Sequence, residues 1–419
     1  MRTYQELFHT REFTPLFLAS AGQNAAQTVG GLALGILVFE RTDSALLSSL
    51  AMFGPALAQL LGAVTVLSAA DRLPPRAAMT GLALLFGAGT ALQAVPGLPL
   101  GVLFAVLLGL GLAGSVGGGV RYGLLNEVLA GGGYLLGRSV LNVSVGVLQI
   151  CGFAAGGALV AALSARGTLL LAAGLHLLAA LVARYGLTAR PPRGAGRASV
   201  AETWRTNARL WSSAPRRYVY LALWVPNGLI VGVESLYVPY APGDAGLLFA
   251  AGALGMLAGD VVAGRFLPAH RRHRPAVPLC VLLAAPYLLF AFRPALPLAL
   301  ALVALATFGY ASGLLLQDRL IALTPDGLSG QALGLHSCGM LAMQGIGAAA
   351  AGAVAELTSP ATGMAATAGA SLAATLLLAP GLRGAGAAVG RTGTDGVDGL
   401  RRAEKPGAPA VPGELPSPA

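Results

Sequence analysis

Apolar runs about 20 residues long recur from one end of the chain to the other, separated by short polar or Pro- and Arg-rich breaks. A bilayer core takes about 20 apolar residues of helix. Twelve stretches meet that length: 14–39, 44–70, 77–95, 99–120, 139–163, 167–187, 218–240, 245–264, 276–292, 296–317, 331–355 and 360–380. Pro55, Pro226 and Pro286 fall inside three of them. Packed membrane helices tolerate such breaks, because neighbours re-satisfy the freed backbone groups. The pattern predicts an all-α polytopic membrane protein with twelve transmembrane helices.

Composition narrows the reading. Of the 419 residues, 55% are hydrophobic and 11% charged, with mean hydropathy +0.72. Soluble domains carry roughly 25% charged residues, so an ordinary soluble enzyme, a disordered chain and a secreted disulfide scaffold are all disfavoured. The net charge of +10 would suggest nucleic acid in a soluble protein, but here the basic residues follow the spans. With the N-terminus inside, Arg41, Arg166 and Arg293 alone among the 27 Lys and Arg fall on outer segments. That asymmetry is the positive-inside rule. It places both termini in the cytoplasm and removes nucleic acid as an expected partner; the cell membrane is the expected location. The first span lacks a small-residue cleavage site, so it reads as an uncut helix. Cys151, Cys280 and Cys338 lie scattered in apolar runs, which fits inert buried thiols and neither a disulfide framework nor a metal site.

The chain divides at its longest interior connection. We read 1–13 as a cytoplasmic N-terminus, 14–187 as a six-helix bundle and 188–217 as a cytoplasmic linker. A second six-helix bundle, 218–380, and a disordered cytoplasmic tail, 381–419, follow. Within the linker, Trp204, Ala208 and Trp211 share a helical face apart from Arg205 and Arg209, the pattern of an interfacial helix with indoles at headgroup level. The halves repeat each other. Gln149, Gly152 and Gly157 of the fifth span recur at one constant offset as Gln344, Gly347 and Gly352 of the eleventh, and Gly137 matches Gly330 at nearly the same offset. Six-span halves in one orientation are parallel repeats, with a solute site expected between them near the midplane.

Over about 10–380 the chain resembles the major facilitator superfamily, in particular its twelve-span drug and metabolite exporters. The loop after the second span carries Asp71, Arg72 and Arg76 where that family has Asp-Arg and a closing Arg, although Leu67 and Pro74 replace its glycines. Phe13, Leu16 and Phe17 resemble the lead-in to the exporters' first span. Gly152, Gly156 and Gly157 resemble part of their glycine signature in the fifth span, without its Pro. The resemblance implies that the first and seventh spans line a central cavity. It also implies that Asp71 sits near the start of the eleventh helix and steadies the outward-open state, with Arg72 and Arg76. Arg265 matches that cluster in the second half, with Asp260 as its acid, because Gly264 replaces the Asp there.

An ionisable group inside a bilayer is costly and is a functional candidate for that reason. Glu234, in the seventh span, is the strongest. Asn227 lies seven residues before it and Tyr237 three after, on about one helical face. A carboxyl there would bind and release a coupling proton or pair with a cationic solute; the plain alternative is a Glu that reaches outer water. In the first span Gln23, Asn24 and Gln27 offer amides that line a cavity or bind helices together. Gly114 and Gly118 form a small-x-x-x-small pair that sets close packing. His176 and His336 read as packed, hydrogen-bonded residues.

No phosphate-binding Gly loop with Lys is present, and no nucleophile–His–acid set lies near a membrane face. We therefore expect no catalytic residues, no metal and no cofactor beyond a coupling proton. The expected partners are a small-molecule solute and membrane lipid, and the expected state is a monomer. The resulting reading is a secondary active transporter exporting a small organic molecule by alternating access. An importer or facilitator, or a transporter-derived sensor that binds without moving its ligand, is the alternative.

Overall fold

The computed structural model describes residues 4–66, 73–129, 133–192, 200–266, 275–325 and 328–403. All regular structure among them is helical. In chain order the helices are α1 (Tyr4–His9), α2 (Phe13–Thr42), α3 (Ala45–Val66), α4 (Pro75–Gln93), α5 (Leu100–Val128), α6 (Tyr134–Gly186) and α7 (Val200–Ser212). They continue with α8 (Ala214–Ser235), α9 (Tyr237–Tyr240), α10 (Ala245–Phe266), α11 (Ala276–Ala284), α12 (Leu296–Phe308), α13 (Ser312–Ala322), α14 (Ser329–Leu357) and α15 (Pro360–Ala403). A 3-10 segment, Ala285–Phe292, extends α11, and another, Gly309–Ala311, joins α12 to α13.

Eight helical stretches of the described residues are long and apolar enough to cross a membrane, and Ala276–Phe292 is a shorter apolar one. The difference from the twelve stretches read above has local causes. The stretch 77–95 lies on α4, a helix of 19 residues that opens on Pro75 and Arg76 and ends on Gln93. The stretches 139–163 and 167–187 lie on one continuous element, α6, bent at Ser164 with φ 68°. Ser164 marks the start of a new helix there: its Oγ accepts from Gly167 N at 3.3 Å, which is N-cap geometry. In α2, the amides of Gln23, Asn24 and Gln27 lower the mean hydropathy of a helix that is otherwise as long as its neighbours. At the other end of the chain α15 is helical to Ala403, past the boundary read at 380, while 404–419 lie outside the described residues.

The bundle has two ends. One, the near end, carries α1, the start of α2 and α7; the other, the far end, carries the turns at 42–45, 164–166 and 240–245. At the far end one continuous buried cluster draws on both parts of the chain, joining Leu32, Val38 and Ala51 to Ile230, Tyr237, Phe249 and Ala355. Toward the near end the buried residues separate into two clusters. One comes only from residues up to 187, including Phe13, Leu125 and Leu141; the other only from residues after 218, including Tyr220, Leu316 and Leu382. The halves are packed together at the far end and hold separate cores at the near end.

Lipid tails are as apolar as leucine, so small residues that let backbones approach do most to join helices. Where α6 meets α10, Gly157 and Gly246 face each other so closely that a Cβ on either would run into the other's backbone. α8 and α14 meet as closely: a Cβ on Gly232 would run into the backbone of Gly347, and one on Gly347 into the backbone of Gly228. Gly152 lies against Thr28, Gly156 against Leu32, and Gly114 against Gln59. Gly118 is the exception and corrects the paired reading: a Cβ there would meet nothing within 4 Å. The tight glycines between α3 and α5 are instead Gly62 and Gly111, because those positions point at Ser115 and at Pro55 and Ala58.

The linker helix α7 is docked on the second half of the chain. Leu210 is buried, Trp211 stacks on Tyr220 and Trp224 of α8, and Asn207 accepts a hydrogen bond from Gln331 of α14 at 3.1 Å. Trp204 remains exposed, as do Arg205 and Arg209. Trp211 thus packs one side on α8 while more than a third of it stays exposed.

Candidate functional site

Glu234 lies in the last turn of α8 and is partly exposed. Its carboxylate Oε1 accepts a hydrogen bond from the Tyr310 hydroxyl at 3.1 Å. Tyr310 is carried there by the 3-10 turn between α12 and α13. That turn lies against α11 because Gly309 has no side chain: a Cβ would collide with the backbone of Leu279 and Leu283. Two further phenols complete the surroundings. Tyr237 and Tyr287 are buried, their hydroxyls hydrogen-bond to each other, and both lie within electrostatic range of Glu234. Among the described residues no cationic side chain acts on the carboxyl. The arrangement is one acid among three tyrosines at the level where the halves are closed together.

Of the residues picked from the sequence, Glu234 and Tyr237 are brought together. Asn227 is buried, and its amide donates to Leu223 O of its own helix at 3.0 Å. Gln23, Asn24 and Gln27 are partly exposed on α2, with the Asn24 Nδ2 buried and without a hydrogen-bond partner; no hydrogen bond joins them to Glu234 among the described residues. Asp71 and Arg72 lie outside the described residues. Arg76 is partly exposed in the first turn of α4. Asp260 is partly exposed and Arg265 exposed on α10, and no ion pair joins them. His176 is buried with its ring beside Phe86, a packing position, but its Nδ1 and that of His336 have no hydrogen-bond partner among the described residues, so the hydrogen-bonded part of the reading is not met. A cavity of about 420 Å³ opens at the far end between Tyr240, Asp244, Arg293 and Ser359; Glu234 is not among its walls.

Tyr287 and Tyr310 were missed, because a tyrosine inside an apolar run reads as apolar. The signal available was their neighbours: Pro286 and Gly309 break helices, and each sets a phenol in a 3-10 segment. Glu356 was also missed, at the end of α14. Its Oε2 accepts from Ser44 Oγ at 3.0 Å and from Leu46 N at 3.3 Å, capping the N-terminus of α3 from the opposite half of the chain. Nearby the hydroxyls of Ser49 and Ser235 meet at 3.0 Å. A carboxylate is favoured at a helix N-terminus and disfavoured at a C-terminus, so the position of Glu356 at the end of its own helix is repaid only across this contact. The group is exposed, which holds its contribution to about 1 kcal/mol, roughly fivefold in population. Glu356→Gln should shift the protein that far toward a state open at the far end. Distances between spin labels on the ends of α3 and α14 in nanodiscs would check it, and distributions matching wild type would refute it.

No family model matches the sequence, and no curated protein matches it. Solved structures do match. A POT family transporter in complex with a thioalcohol-conjugated peptide superposes with TM-score 0.68 at 11% identity, over 89% of this chain and 96% of that one. A mutant of the nucleoside transporter NupG gives 0.69 at 12% identity, over 88% and 99%. A bacterial homologue of the human lysosomal transporter Spinster, inward-facing and unoccupied, gives 0.63 at 14% identity, over 92% and 98%. All are transporters of the major facilitator type, not enzymes. At these identities the likeness is one of fold, and the fold is that of major facilitator transporters.

Proposed function

We propose that the chain is a secondary active transporter that exports a small organic molecule in exchange for protons, by alternating access of two six-helix halves, 14–187 and 218–380. The observation that carries the reading is Glu234: a carboxyl inside a membrane span, without a counter-ion among the described residues, beside the closed end of the bundle. Such a group costs several kcal/mol wherever it stands in a span, which makes a role in the pathway the first reading of its presence. A proton or a cationic solute supplies the missing charge.

The basic residues put the near end in the cytoplasm. Closure at the far end with separate cores at the near end then describes an inward-facing state. The first-span amides Gln23, Asn24 and Gln27 face the solute in this reading. Asp71, Arg72, Arg76, Asp260 and Arg265 hold the near end together in the opposite, outward-open state. Export as the direction rests on the exporter-like residues Phe13, Leu16, Phe17 and Gly152, Gly156 and Gly157. The cell membrane, cytoplasmic termini and a monomeric state complete the proposal.

The test compares a knockout with wild type for intracellular retention of a broad compound panel, with and without a protonophore. Retained compounds that wild-type cells expel only while the proton gradient stands are the expected result. A solute that purified protein in proteoliposomes binds but never accumulates against its gradient would point to a sensor.

A further inference from the structure

We propose a second site, apart from Glu234: an anion-binding site at the near end, built by Arg121 of α5 and Arg138 of α6 around Tyr122, for a phosphate group. The guanidinium carbon of Arg121 lies 5.1 Å from the centre of the Tyr122 ring, and that of Arg138 lies 5.3 Å from the same centre. Two cations share one ring. The ring attracts each of them but neutralises neither, and the two repel each other.

The backbone forces this juxtaposition. Gly137, the residue before Arg138, packs where a Cβ would meet the side chains of Leu125 in α5 and of Leu129 just past its end and approach the Phe13 ring. The start of α6 therefore lies tight on the end of α5 and brings the two arginines together. The Nε of each is buried and has no hydrogen-bond partner. Neither arginine makes an ion pair among the described residues, and the carboxylates held in ion pairs at this end are engaged elsewhere: Arg190 holds Glu12 at 2.7 Å and Glu127 at 3.6 Å.

Unspent guanidinium donors beside an uncompensated like charge are what an anion repairs. A guanidinium presents a planar fork that matches phosphate oxygens two at a time, and a tetrahedral phosphate can serve two forks at once. Both side chains are partly exposed, so the group can arrive from outside the fold. The phosphate of an anionic lipid headgroup and a soluble phosphate share this chemistry, and the site lies at the end of the bundle where either is within reach.

Two probes separate the sources on the full-length protein. Phosphatidylglycerol is titrated into delipidated protein and retained adducts are counted by native mass spectrometry. Inorganic phosphate is titrated into protein in phosphatidylcholine nanodiscs, and hydrogen exchange is followed in 116–128 and 134–145. At least one probe should bind saturably, and Arg121→Gln and Arg138→Gln should each weaken it about tenfold, as expected for loss of a charged fork. Binding of the lipid alone assigns a headgroup; protection by phosphate in the lipid-indifferent case assigns a soluble ligand. Equal binding by the double variant and wild type overturns the proposal. If neutral variants do not fold, the wild-type exchange data decide, with both probes applied in the nanodiscs: absence of protection in both segments with either probe overturns it as well.

Discussion

Replacing Glu234 by Gln should bring proton-driven solute flux in reconstituted vesicles down to the level of protein-free vesicles, with insertion and folding intact. The amide keeps the size of the side chain and an oxygen to accept the Tyr310 hydroxyl, whose bond to Glu234 Oε1 is 3.1 Å long. What it removes is ionisation. A residue that serves only packing would pass through this change almost unaltered, because its one protein hydrogen bond survives. A residue that carries the proton cannot. Counterflow, in which labelled solute exchanges for unlabelled with no net proton movement, separates two versions of the role. If the carboxyl carries the proton alone, exchange persists in the variant while gradient-driven accumulation disappears. If it also pairs with a cationic solute, both are lost. Proton-driven accumulation at the wild-type rate would remove Glu234 from the mechanism.

How far the sequence disclosed these features depends on whether one residue or two are involved. Helices were legible because hydropathy is a property of a single stretch: the run at 99–120 lies, from Leu100 on, within α5 and the run at 331–355 within α14. Glu234 was legible for the same reason, as a charge where charge is costly. The contacts between the halves were not. Nothing in the spacing of Ser44 and Glu356 shows that one caps the other's neighbouring helix. Nothing in Pro286 or Gly309 shows that the phenols beside them converge near one carboxyl. The pairing of Gly114 with Gly118 failed similarly. Spacing by four puts two glycines on about one face, but only the neighbouring helix decides whether that face is in contact at both levels, and α3 reaches Gly114 alone. Gly157 stood out as part of a repeated pattern, yet its partner Gly246 did not.

Gly157→Leu should trap the protein open at the far end and abolish transport. At this crossing of α6 and α10 the obstacle to a side chain is backbone on both sides, since a Cβ at Gly157 meets Gly246 and a Cβ at Gly246 meets Gly157. Backbone cannot rotate aside as a side chain can. Overpacking of a tight core costs about 1–3 kcal/mol, and the upper end amounts to roughly a hundredfold change in population. The same substitution costs far less once the halves part, because each glycine then faces open space or lipid. The loss therefore falls on the closed state and not on the fold. Ala51, buried in the cluster that joins the halves, reports the difference: with the free Cys151, Cys280 and Cys338 replaced by Ala, Ala51→Cys should resist a membrane-impermeant maleimide and react with it when combined with Gly157→Leu. Protection of the thiol in both backgrounds, with transport unimpaired, would mean that the α6–α10 crossing does not govern closure. Labelling in both would mean that the far end opens without any change at Gly157, and that the closed state is the minor one in the membrane.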